Sequence, residues 1–240
     1  ELEERDPQNR LVARQNRFPV EAEVVRDLSL SASGLLVLAL GGPSVQPPLP
    51  AGLTEQVILK DERFREEDEG DERFRRGVYT NVQRTFPYPS LLAFDSADAN
   101  VCSTRRDRSM TPLQALTLLN ERAFFECAQN LGHELARTML SQAVTTNVGA
   151  SDGGVNGSAI RKCIKEAIHR CLSRSPTSTE IDILERLFHQ HRAIYNSAPD
   201  AAAKMAGSDA VPDGINATDV AAWVGVARTI LNLEEFITRE

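Results

Sequence analysis

Thr111-Pro-Leu-Gln-Ala-Leu-Thr-Leu-Leu-Asn120 is the stretch on which the reading of this chain turns. Thr111 can accept a backbone N–H as a helix cap, Pro112 suits the first helical position, where no N–H is needed, and Gln114 can reach back to close a capping box. From there Leu113, Leu116, Asn120, Phe124, Cys127, Leu131 and Leu135 recur at steps of three and four. That period predicts one long helix, the central helix of the core, with this stripe inward. Asn120 lies on the stripe and is expected to be a buried amide bonded to the backbone of the preceding loop.

The same period recurs on both sides. Val20, Val24, Leu28, Ala32 and Leu35 predict an amphipathic helix ending before Gly41-Gly42-Pro43. Ile164 and Ile168 face inward on a helix over 159–172. Thr177 and Glu180 form a second capping box, opening a helix to about residue 195 with Ile181, Leu184 and Phe188 as its stripe. Val220, Val224, Ala227 and Leu231 mark a last helix over about 218–231, on which Trp223 is expected as a core anchor.

Between the helices, the connector 41–53 carries Pro43, Pro47, Pro48 and Pro50 and should be extended or turn-like. Residues 78–86 fit strand or helix equally. The stretches 142–158 and 197–215 are rich in small and polar residues and are expected to be mobile linkers. The fold class is therefore mainly α: a helical domain with long, irregular, Pro/Gly-rich connectors and little or no sheet. The expected organisation is one domain over 1–240, divisible into 1–141 and 159–240 about the linker 142–158.

Composition narrows the partners. With 27 basic and 34 acidic residues the net charge is -7, which disfavours a nucleic-acid surface that works by neutralising phosphates. No stretch reaches the eighteen or so apolar residues of a membrane span, and residues 1–20 lack the order of a signal peptide. The charged opening Glu1-Leu-Glu-Glu-Arg-Asp6 is expected of a fragment of a longer chain. Cys102, Cys127, Cys163 and Cys171 are too few and too dispersed for a disulfide framework. No Cys-x-x-Cys-His occurs, so no haem is expected on this segment.

The 111–120 stretch, with Asp95-Ser-Ala-Asp-Ala-Asn-Val-Cys-Ser-Thr-Arg-Arg106 before it, resembles the C-terminal domain of unknown function of planctomycete exported multidomain proteins, which often also carry a cytochrome-c-like module. The resemblance extends through Val20-Glu-Ala-Glu-Val-Val-Arg-Asp27, Gly41-Gly-Pro-Ser44, Arg75-Arg-Gly-Val-Tyr-Thr80, Arg84-Thr-Phe-Pro87 and Leu91-Leu-Ala-Phe-Asp95, and ends at Ala222-Trp223, Leu231-Asn232-Leu233 and Glu235-Phe236. It implies export to the periplasm or cell surface, attachment to other domains of the same chain, and haem only on an upstream module. It implies no reaction. Residues 54–76 depart from it: Asp61-Glu-Arg-Phe-Arg65 returns as Asp71-Glu-Arg-Phe-Arg75 around Glu66-Glu-Asp-Glu-Gly70. This charge density reads as a solvated insertion, a loop or short surface helices, since it lacks the spacing of a calcium loop.

The candidate ligand-binding residues lie on the loop before Thr111. Cys102 stands near Arg105, Arg106 and Arg108, whose charge favours a thiolate, but no histidine is near in sequence to serve as base. Arg105 and Arg106, with Asp95 and Asp98, either bind an anion at the amino end of the helix or form an internal Arg-Asp network that pins the loop, and the second is favoured. Cys163, His169 and Cys171 lack metal-ligand spacing, and His189 and His191 read as surface residues. The segment alone is read as a non-catalytic structural or interaction module linked to redox or polysaccharide utilisation. The alternative is an enzyme or ligand-binding domain with an anion site on the 95–108 loop.

Overall fold

The computed structural model describes residues 2–15, 17–49, 67–84, 86–145, 157–207, 211 and 214–239. The helices are α1 (Leu2–Arg5), α2 (Ala22–Ser33), α3 (Pro89–Ala93), α4 (Pro112–Asn120), α5 (Arg122–Thr145), α6 (Gly157–Leu172), α7 (Ser178–Asn196), α8 (Pro199–Ala206) and α9 (Ala217–Leu231). The strands β1 (Phe18–Pro19) and β2 (Thr238–Arg239) pair antiparallel, Phe18 opposite Arg239 and Pro19 opposite Thr238. Among the described residues that ribbon is the sheet, so the fold is mainly α as its sequence predicts.

The helix at the centre is α9. Every residue from Val220 to Ala227 is buried, because the helix packs against α5, α7 and α8 and also touches α6 and α4. Its apolar positions run all the way round, the composition of an enclosed helix. Trp223 packs its ring 4.6 Å from that of Phe188 on α7, an aromatic pairing worth about 1 kcal/mol beyond its area. Gly132 lets α5 approach α9 backbone to backbone: a Cβ there would sit 2.8 Å from the Val224 nitrogen. The core joins residues from Val20 to Ile237 in one cluster.

The predicted long helix from Thr111 is two helices. Glu121 takes extended geometry (φ -73°, ψ 137°) between α4 and α5, and its carboxylate accepts a weak cap from the Phe124 N–H at 3.4 Å. The stripe therefore does not continue across the break. Leu113 and Leu116 are 61% and 55% exposed, and α4 instead buries Gln114 and Leu118. Asn120 is exposed and donates to the Leu116 carbonyl at 2.9 Å, so it is not the expected buried amide.

Three further expectations change. Leu28 and Val24 only partly bury on α2, whose inward face is Ala22, Val25, Arg26, Ser29, Leu30, Ala32 and Ser33. The stretch 197–215 contains α8, with Ala202 and Ala206 buried; the backbone carbonyls of Met205 and Ala206 at its end are held by Gln129 Nε2 at 3.0 Å and His133 Nε2 at 2.7 Å. Residues 142–145 continue α5 and Gly157 opens α6, while 146–156 lie outside the described residues.

The second DERFR copy forms a short surface 3-10 helix, one of the two forms expected, although its Arg75 turns inward; the first copy lies outside the described residues. Gly70–Phe74 forms a 3-10 turn, and Arg75 is 2% exposed. Its guanidinium donates to the carbonyls of Pro43 (2.8 Å), Ala39 (3.3 Å) and Gly41, and lies 4.0 Å from the Tyr79 ring centroid. One planar fork thus gathers three carbonyls of the glycine–proline connector, a job its fixed donor geometry suits. Val37 and Val45 bridge to Arg75 and Thr80 on either side.

Candidate functional site

The loop between α3 and α4 begins with a helix C-terminus. Ser96 N–H donates to Leu91 and Asp95 N–H to Leu92, while Asp95 adopts φ +57°. This is a Schellman ending with aspartate at the left-handed position, which Asp tolerates better than most residues. The Asp95 carboxylate then accepts from Ser109 twice, from N–H at 2.7 Å and from the hydroxyl at 2.6 Å. Ser109 in turn accepts from Gln114 Nε2 at 3.3 Å.

At the start of α4, Gln114 N–H donates to Thr111 Oγ1 at 3.4 Å and Gln114 Oε1 accepts from Thr111 N–H at 3.0 Å. The two ends of the loop are therefore stitched through Asp95, Ser109, Gln114 and Thr111, with Pro112 at the first helical turn. Asp95 is thus tied to Ser109, not to an arginine. Asp98 likewise turns inward on its own segment, accepting from Asn100 N–H at 2.9 Å.

The arginines find other carboxylates. Arg106 Nη1 lies 3.0 and 2.8 Å from the two oxygens of Glu23 on α2 and 3.6 Å from Glu21. Its hydrogen bond to Glu23 raises the Arg106 pKa above its ordinary value. Arg108 reaches Glu21 at 3.4 Å and lies over the Phe18 ring. Arg105 and Cys102 are exposed, and among the described residues the Arg105 side chain forms no ion pair. The four candidates do not converge: Asp95 and Arg106 share a crevice with Glu21, Arg108, Ser109 and Gln114, whereas Arg105 and Cys102 stand outside it. About 10 Å³ is free there, room for one water at most.

Residues 1–188 match the family described as PSD1, a protein of unknown function (DUF1553). The chain belongs to the PSD1 family. No curated protein and no solved structure matches it.

In this PSD1 chain the larger concavity lies on the other side of α4. Pro89, Leu92 and Ala93 of α3 face Leu113, Leu116, Thr117 and Asn120 of α4 across a groove of about 590 Å³. Leu92 is 50% exposed at its wall, and the buried Glu121 closes its end. Sequence reasoning missed this groove because it assigned Leu113 and Leu116 to the core; the signal available was Glu121, a second cap four residues before Phe125.

The remaining candidates are inert as placed. Cys127 and Cys163 are buried and Cys171 is half-buried; all three thiols are free, and burial pushes each up to about 12. No group of three potential metal ligands occurs among the described residues. No described helix is long and apolar enough to cross a membrane.

Proposed function

We propose that this PSD1 chain is a non-catalytic interaction module of a larger exported planctomycete protein, docking another domain of the same chain through the α3–α4 groove. In that setting redox or polysaccharide chemistry belongs to other modules of the same chain, and any haem to an upstream cytochrome-c-like one. The observation that carries the reading is the exposure of Leu92, Leu113 and Leu116 on two short helices, one fixed at its start by the Thr111–Gln114 capping box and the other closed at its end by the Asp95 turn. Clustered apolar side chains held in a fixed groove are the mark of a contact surface. The alternative, an anion site on the 95–108 loop, has the Arg106–Glu23 pair and the filled crevice against it.

The test compares amide hydrogen exchange of residues 89–93 and 112–121 in the 240-residue chain and in the full-length protein. Slower exchange in the full-length protein, lost on Leu113→Glu, is expected. Equal exchange in both removes intramolecular docking as the function.

A further inference from the structure

A second concavity lies far along the chain. Lys162, Lys165, Glu166 and His169 stand at spacings of three, four and seven on α6, and so share one face. Ser175 and Pro176 form the opposite wall, and about 470 Å³ lies between. Two features hold that wall still. Arg174 is clamped between Glu180 and Glu235, each at 2.6 Å, and Thr177 with Glu180 closes a capping box that starts α7. The wall is therefore formed before any ligand arrives, which lowers the ordering cost of binding.

Charge sets this cleft apart from its surroundings. Arg161, on the neighbouring face of α6, is committed to Asp182 at 2.8 Å and Glu185 at 2.6 Å. Arg174 is neutralised as described. Among the described residues Lys162 and Lys165 have no ion-pair partner, although the chain carries a net charge of -7. Both are exposed. Two ammonium groups, a hydroxyl and an imidazole outnumber the one carboxylate, Glu166, around this concavity, so donors predominate, as suits a ligand that offers acceptors.

We infer that the cleft between α6 and the 173–177 turn binds a tetrahedral oxyanion, a phosphate or sulfate group, with Lys162 and Lys165 as its charge partners and Ser175 as hydroxyl donor. Glu166, in the same lining, opposes the anion and limits affinity, while the His169 ring offers an N–H as a fourth donor. The space exceeds one such ion, so the anion is the terminal group of a larger molecule.

The experiment is an amide NMR titration of the 240-residue chain at constant ionic strength, with chloride as the balancing salt. Inorganic phosphate, inorganic sulfate and glycerol 3-phosphate are the probes. Saturable shifts confined to residues 162–176 are expected. Lys165→Gln should weaken binding about fivefold, the scale of one exposed ion pair, and Glu166→Gln should strengthen it. Both side chains are exposed, so both variants keep the fold, which the rest of the spectrum checks. Glycerol 3-phosphate binding more tightly than phosphate assigns the extra space to an organic phosphate; sulfate binding more tightly than both phosphate probes assigns the anion to a sulfate ester. Shifts that rise linearly without saturation, or an affinity that Lys165→Gln leaves unchanged, overturn the assignment.

Discussion

The phenolic oxygen of Tyr88 lies 2.8 Å from Oε1 of Glu121 and 2.8 Å from the Pro48 carbonyl oxygen. A phenol has one proton, so it cannot donate to both. Burial of Glu121 pushes its pKa above the ordinary 4.5, despite bonds from Tyr88 and from the Phe124 and Ala123 amides and the charge of Arg26, all of which act to lower it. Protonation of Glu121 would relieve the conflict, the carboxyl then donating to Tyr88 while Tyr88 donates to Pro48.

Stability should follow from that proton. A carboxyl whose folded pKa is raised binds more protons folded than unfolded, so its contribution is full below pH 4.5 and lost as pH rises through the folded value. The stability of the wild type minus that of Glu121→Gln is therefore expected to be largest near pH 4 and to decline above it. Urea midpoints of both proteins from pH 4 to 8 measure this. A difference that grows with pH would show that Glu121 is ionised in the fold.

The arginines should rank by burial and not by their place in the loop. Arg75→Ala leaves the carbonyls of Ala39, Gly41 and Pro43 without their donor and should cost about 3 kcal/mol. Arg106→Ala removes a pair whose cation is 34% exposed, worth at most about 1 kcal/mol. Arg105→Ala should stay within about 0.5 kcal/mol. Thermal and urea unfolding of the three variants give the order directly; Arg105 costing more than Arg75 would refute it.

Gly132→Ala sets two effects against each other. Alanine favours a helix interior by about 1 kcal/mol over glycine. Its methyl would meet Val224 Cγ2 at 2.7 Å and the Val224 nitrogen at 2.8 Å, and backbone cannot swing aside as a side chain tip can. Overpacking of this kind costs about 1–3 kcal/mol, so net destabilisation is expected. A rise in the melting temperature would mean that the α5–α9 spacing gives way readily.

What was legible in the sequence was whatever is local. The boxes at Thr111–Gln114 and Thr177–Glu180 need partners three residues apart, and both are present. Periodicity placed α2, α6, α7 and α9 for the same reason, but it ran α4 and α5 together and missed α8. Which helix faces inward does not follow from it: α9 is enclosed on all sides, while α4 turns Leu113 and Leu116 to solvent. The partners of Arg106 and Arg75 lie 83 and 32 to 36 residues away. Nothing in the spacing of an arginine announces a carbonyl at that distance, so Arg75 read as surface charge. The anchoring of the 95–109 loop was half legible, since Thr111 and Gln114 were visible but Glu23 and Ser109 were not.

The enclosure of α9 also bears on how the chain acquires its structure as it is made. The helix that fills the middle is made after the helices that enclose it, and Val20, before α2, donates its N–H to the carbonyl of Ile237, after α9, at 2.9 Å. Until residues 217–237 emerge, α5 and α7 present the surfaces that Val224 and Trp223 will cover. Contacts of such wide sequence separation slow folding and leave apolar surface open meanwhile. Between the making of α5 and the arrival of α9, the enclosing helices thus form a hollow set, and that interval is the one in which a chaperone can act.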